Sequence, residues 1–168
     1  MNFQVYDDFL PEVVFDTLNR GIVNNNGFHW YFSDYMTQPN DGRYQFFHNI
    51  FNVRYGGVLS EYYSFFEPVL EKLGVQRLDR IKINLNPKTF FHRKGDWHID
   101  NNPDDPYQHS KTALLYLNLN NGWTEFKKHG RVKVKPNRAV LFDSPLYHRK
   151  VTCTDKAKRV IVNFNYDI

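Results

Sequence analysis

From residue 79 onward the chain alternates apolar and polar positions with period two. Arg80-Ile81-Lys82-Ile83-Asn84-Leu85-Asn86 is the clearest case, and Pro87 ends it. Residues i and i+2 share a face of a strand, so this alternation predicts a half-buried one. Further strands are predicted at residues 111–120, with Leu115 and Leu117 on one face, at 138–142 and at 158–166. Residues 123–127 and 131–135 read as a hairpin across His129-Gly130. Before residue 79 the period is helical in two places. Val14, Leu18 and Ile22 give one apolar face after the turn Asp7-Asp8-Phe9-Leu10-Pro11, and Asn24-Asn25-Asn26-Gly27 ends it. Leu59, Tyr62, Tyr63, Phe66, Val69, Leu70 and Leu73 mark a second helix closed by Gly74, which Pro68 should kink or divide.

Two aromatic segments, 28–32 and 44–55, are strand candidates whose rings are expected in the core. Many short strands separated by turn signals predict a mainly β sandwich or jelly roll, with the two N-terminal helices packed on the outside of one sheet. A single domain over 1–168 is expected, with 1–78 as helical support and 79–168 as the jelly-roll core.

Composition agrees with a globular chain of many strands. Of 168 residues, 41% are hydrophobic and 17% aromatic, which excludes a disordered segment. The net charge of +4 comes without a run of five like charges, so nucleic acid is permitted as a partner but not implied. The single cysteine, Cys153, admits no intramolecular disulfide and fits a reducing compartment. The first eight residues lack a basic and then apolar leader pattern, and no apolar run approaches a membrane span. A cytoplasmic protein with no membrane partner is expected.

The chemistry centres on His98-Ile99-Asp100, at the end of an extended, aromatic-rich run over 89–98 and just before the turn-rich loop 101–106. On a strand, the imidazole of His98 and the carboxylate of Asp100 converge on one point. Two His and one carboxylate on one side of a metal form the facial triad of non-haem Fe(II) oxygenases, which leaves three positions open. His148, on the far side of the turn after Leu141-Phe142, is the candidate for the second His. The ligand set admits zinc as well. Arg159 opens the last predicted strand. A guanidinium inside a barrel mouth calls for an anion, and a metal-chelating dicarboxylate would supply one.

The order of these pieces resembles the Fe(II)/2-oxoglutarate-dependent oxygenases of the prolyl-4-hydroxylase-like branch, including small bacteriophage members. The resemblance runs from Val5-Tyr6-Asp7-Asp8-Phe9-Leu10-Pro11 through Trp97-His98-Ile99-Asp100, Thr112-Ala113-Leu114-Leu115-Tyr116-Leu117-Asn118 and Asn121-Gly122-Trp123. It closes with Pro136-Asn137-Arg138, with His148 and with Arg159-Val160-Ile161-Val162-Asn163. It implies a double-stranded β-helix fold, with His98, Asp100 and His148 as iron ligands and Arg159 on the distal carboxylate of 2-oxoglutarate. Tyr116 matches a family Tyr on that carboxylate, and a core aromatic is its alternative. Where many relatives have a 2-oxoglutarate-contacting Tyr, this chain departs, and Asn84, Asn86 or Asn163 is the expected replacement.

The implied reaction consumes O2, with ascorbate as a possible reductant, and hydroxylates an unactivated C–H bond with release of succinate and CO2. The expected substrate is a peptide, protein or small molecule, such as peptidyl or free proline. For a phage-encoded protein the location would be the host cytoplasm. Loop 101–110 is expected to be a lid or substrate edge. Two rivals stay open on the residues alone: an oxygenase acting on a nucleobase, and a non-enzymatic jelly-roll module holding zinc or no metal.

Overall fold

A computed structural model describes residues 3–37, 39–100 and 107–168. Eleven strands run through them: β1 (Phe3–Tyr6), β2 (Tyr31–Ser33), β3 (Gln45–Asn52), β4 (Gly57–Val58), β5 (Arg77–Pro87), β6 (Lys111–Tyr116), β7 (Trp123–Phe126), β8 (Gly130–Lys133), β9 (Arg138–Asp143), β10 (His148–Val151) and β11 (Lys158–Asp167). The helices are α1 (Glu12–Leu18), continued by a π turn over Asn19–Val23, and α2 (Glu67–Leu73). The large sheet has the order β1-β9-β6-β11-β5-β3-β2, with β4 added to β3, and the small sheet has the order β10-β7-β8. Every pairing is antiparallel.

Alternation along β11 sets the two faces of the large sheet. Val160, Val162, Phe164 and Tyr166 join Ile81 and Ile83 of β5, Ala113 and Leu115 of β6, and Leu18, Ile22, Phe66, Val69 and Leu73 of the helical layer in one apolar cluster. Ile161 of β11 points the other way. It meets Leu114, Tyr116, Val140 and Phe142 of the large sheet and Phe126 and Val132 of the small one. The two sheets thus close on each other, while the helices cover the outer face: the expected jelly roll with its N-terminal helices on one sheet.

The hairpin β7–β8 forms in the expected place. Pro68 divides the second helical segment into a 3-10 turn over Glu61–Phe66 and α2, where it occupies the first turn and its missing N–H costs nothing. Gly74, at φ 67°, ends α2 in the left-handed conformation that glycine adopts without penalty.

Three expectations change. Residues 1–78 supply more than helical support, because β1, β2, β3 and β4 all join the large sheet. Residues 89–98 do not form a regular strand. Only isolated bridges, Lys94 with Val151 and His98 with His148, tie this run to β10. Its aromatics are largely solvated, Phe90 being 94% and Phe91 77% exposed, so no buried face holds it in register. In the two aromatic segments Phe28 is core, but Tyr31, Phe32, Tyr44 and Tyr55 are exposed, because β2 lies at the sheet edge. The expected lid falls mostly on residues 101–106, which lie outside the described residues.

The N-terminal segment is tied to the turn before β9. The Asn137 side chain accepts from Leu10 N at 2.9 Å and donates to Leu10 O at 2.8 Å, and Asn137 itself sits at φ 57°. Beside it, Asp7 makes a two-pronged pair with Arg138 at 2.6 and 3.0 Å, which holds the Asp7 carboxyl down to about 2. We expect Asn137→Ala to cost about 2–4 kcal/mol in denaturant unfolding, from two lost buried hydrogen bonds and from a left-handed backbone that Asn tolerates better than Ala. Asp7 has a depressed folded pKa, so its contribution is present above the unfolded value of 3.8 and is lost as pH falls toward about 2. Asp7→Asn should therefore destabilise by under about 1 kcal/mol at neutral pH, since the pair is partly solvated, and by nothing near the bottom of that window.

Candidate metal centre

His98 and His148 are brought together by their own backbones. His98 N donates to His148 O at 3.1 Å, and His148 N donates to His98 O at 3.0 Å. This reciprocal antiparallel pair sends both rings to one side, with centroids 4.4 Å apart. A third bond, Asp100 N to Ser144 O at 3.3 Å, places Asp100 against the turn before β10. The donor atoms of His98, Asp100 and His148 then lie within 4.8 Å of one another.

Hydrogen bonding sets the ring states. His98 Nδ1 lies 3.1 Å from Asp96 O and His148 Nδ1 lies 3.0 Å from Leu146 O. A carbonyl only accepts, so each Nδ1 carries a proton and each neutral ring turns the lone pair of Nε2 toward the carboxylate. The two Nε2 atoms are 3.9 and 3.8 Å from the Asp100 oxygens. Burial and the neighbouring His148 push the His98 imidazole below its ordinary value, favouring the neutral ligand form. Burial raises the Asp100 carboxyl, but His148, His98 and Arg80 outweigh it, and the group ends well below the usual carboxylate range. The Asn163 amide donates to Asp100 Oδ2 at 3.2 Å and fixes its orientation. Phe142 packs on the His148 ring at 4.8 Å and closes its far side.

The cluster opens on a cavity of about 360 Å³ between the two sheets. Arg159 is 1% exposed. Its Nη2 donates to Thr124 Oγ1 at 3.2 Å, while Nε and Nη1 have no partner among the described residues. A buried guanidinium left this way costs several kcal/mol and calls for an anion. A carboxylate in the cavity would meet that need with two parallel hydrogen bonds. The donor set and this orphaned cation therefore fit Fe(II) and a dicarboxylate.

The remaining expected residues divide. Asn84 and Asn163 line the cavity. Asn86 stands opposite Arg159 across β5 and β11 but does not line it, and both its amide atoms lack partners among the described residues. Tyr116 is buried in the core between the sheets, and its hydroxyl donates to Thr124 Oγ1 at 2.8 Å. It meets the cavity through Thr124, which sequence reasoning missed, and through its ring, which lies 5.7 Å from the Arg159 guanidinium. Also missed were Arg80, Lys82, Gln45 and Lys150, which all line the cavity. Trp97 and Arg149 stack on each other at 4.1 Å, with Arg149 paired to Glu125, and neither lines the cavity.

Residues 89–167 match the family described as the 2OG-Fe(II) oxygenase superfamily. The matched segment contains His98, Asp100, His148 and Arg159. No curated protein sequence matches the chain significantly. Among solved structures, the chain resembles a viral collagen prolyl hydroxylase from Paramecium bursaria Chlorella virus-1, solved as a 2OG complex. The TM-score is 0.67 at 12% identity, over 98% of this chain and 95% of that one. It resembles a prolyl-4-hydroxylase from Pseudomonas putida with TM-score 0.62 and 16% identity, over 99% and 93% of the two chains. A prolyl hydroxylase from Trichoplax adhaerens, solved with a hypoxia inducible factor peptide fragment, gives TM-score 0.60 and 17% identity, over 98% and 83%. The double-stranded β-helix is common to them. The family match and the converging donors support Fe(II) and 2-oxoglutarate as cofactor and co-substrate, and an oxygenase over a non-enzymatic module. No helix among the described residues is long and apolar enough to cross a membrane.

Gly122 bears directly on Arg159. A Cβ there would lie 2.9 Å from Val151 O and 3.1 Å from Arg159 Cδ. Gly122→Ala must therefore displace the guanidinium or β10. We expect it to raise the 2-oxoglutarate concentration for half-saturation by about tenfold or more, measured by anaerobic titration.

Proposed function

We propose that His98, Asp100 and His148 bind Fe(II), that Arg159 and Thr124 receive the distal carboxylate of 2-oxoglutarate, and that the enzyme hydroxylates an unactivated C–H bond of a peptidyl or free amino acid, proline being the first candidate. The observation that carries this is the juxtaposition of the three converging donors with a buried, anion-seeking Arg159 in one cavity. The likeness to prolyl hydroxylases supports the substrate class. When bound, Fe(II) and 2-oxoglutarate supply the oxidising chemistry that couples decarboxylation to succinate and CO2 with C–H hydroxylation.

The chain's own residues position and exclude. His98 and His148 are oriented through their Nδ1 bonds to carbonyls, which leaves Nε2 free to ligate. Asn163 holds one Asp100 oxygen, so the carboxylate presents a fixed edge. Phe142 and Phe126 flank His148 and keep water from the back of the centre. No side chain is required as general acid or base, because the protons stay within the cofactor chemistry; the protein's work is orientation in a dry site.

The test is anaerobic addition of Fe(II) and then 2-oxoglutarate, followed by the weak visible charge-transfer band. The band should form in the wild type, vanish in Asp100→Ala, and need at least about tenfold more 2-oxoglutarate in Arg159→Ala, which loses a charge-assisted bidentate contact. Proline-containing peptides and free proline are then offered in air, and mass spectrometry reads the gain of one oxygen atom. A wild type with no band, or a band untouched in Asp100→Ala, overturns the assignment.

A further inference from the structure

The cavity holds more positive charge than the proposed co-substrate uses. Arg80, Lys82, Lys150 and Arg159 line it, and Asp100 is the only acidic residue among the described lining. A divalent metal adds to the surplus, and 2-oxoglutarate does not cancel it. Three of the four cations have a defined role. Arg159 faces the distal carboxylate under the reading above. Lys150 Nζ donates to Gln45 Oε1 at 2.5 Å. Arg80 Nε donates to Asn165 Oδ1 at 2.9 Å. Lys82 is left. Its ammonium has no hydrogen-bond or ion-pair partner among the described residues and rests over the Phe47 ring at 4.8 Å. Burial, with the Arg80 charge nearby, outweighs the attraction of Asp100 and pulls it down to about 8.

Its place relative to the metal ligands is fixed by register. Lys82 of β5 stands directly opposite Asn163 of β11. The Asn163 amide is bonded to Asp100. A group held by Lys82 is thus one side chain removed from the metal centre, on the large sheet, while Arg159 lies further along the same strand. Beyond Lys82 the same face continues through Phe47 of β3 and Tyr31 of β2, whose rings are 6.0 Å apart. Lys82 is thus a cation lining the cavity, with an aromatic ring beside it.

We propose, resting on the reading of the site above, that Lys82 binds a carboxylate of the substrate and so sets which C–H bond faces the metal. The cavity is near the lower end of the range of about 300–1,000 Å³ for ligand pockets and also has to hold 2-oxoglutarate, so the carboxylate belongs to a small acid, a free amino acid first.

The test compares acids with neutral partners on the protein loaded with Fe(II) and 2-oxoglutarate without oxygen. Free L-proline and the other protein amino acids are titrated against their amides, by calorimetry and by perturbation of the visible band. N-acetylglutamic α-amide against N-acetylglutamine amide represents an acidic peptide side chain. At least one free acid should bind about tenfold tighter than its amide, the size of one charge-assisted contact. Lys82→Met should erase that preference and Lys82→Arg should keep it. Preference in the glutamate pair alone overturns the free-acid assignment and places the carboxylate on a peptide. No acid binding better than its neutral partner, or a preference that survives in Lys82→Met, overturns the proposal. So does a Lys82→Met protein whose 2-oxoglutarate requirement rises as in Arg159→Ala. Failure of the wild-type band is a separate result: it overturns the site assignment, and this inference with it.

Discussion

Two backbone hydrogen bonds between His98 and His148 hold the functional half of this protein together. The run before His98 has no strand of its own and little burial, so its position depends on contacts with β10. Break the reciprocal pair and His98 has no fixed relation to His148, and Asp100 loses the neighbour that sets its distance to the second ring. The large sheet contributes from the other side, through Asn163 on Asp100 and Arg159 at the cavity floor. The metal centre is therefore a seam. One edge is built by local pairing at the small sheet and the other by the register of β11 against β5.

Much of this was legible in the chain. Period-two alternation marked β5, β6, β9 and β11, and the helix-breaking properties of Pro68 and Gly74 marked the ends of the helical layer. His98, Asp100 and His148 were singled out from ligand chemistry and Arg159 from the cost of burying a guanidinium, and the structure brings the three donors together and buries Arg159. What failed was reading the faces. Arg80, Lys82 and Asn84 alternate with apolar residues, and a polar stripe ordinarily means solvent. In a jelly roll the polar stripe of β5 faces the interior cavity, so alternation shows that two faces exist without saying which is wet. Thr124 gave no signal at all, because its hydroxyl matters here only through the folded-state contacts with Tyr116 and Arg159. β10 was missed for the same reason as the Lys82 stripe, since Arg149 and Lys150 make a strand look like a loop.

Arg159 also links stability to function. Its desolvation is offset by one hydroxyl and by the Tyr116 ring at 5.7 Å, and two of its donors lack partners among the described residues. Such a group lowers the stability of the unliganded fold, and the cost is recovered when an anion arrives, so part of the binding energy for an anion is stored in the native state. Gly122 packs against the same group: a Cβ there would lie 2.9 Å from Val151 O and from Asn120 Oδ1, and 3.1 Å from Arg159 Cδ.

The strand order has one more consequence, for how the chain reaches this state. β11 is made after β5 and β6, yet it lies between them and supplies side chains to both apolar clusters. During synthesis, β5 and β6 emerge with their facing edges open and wait for a partner still inside the ribosome. The metal donors are translated before the strand that orders Asp100 through Asn163. Sheet completion is thus a late, long-range event, and the nascent chain carries open strand edges until it occurs.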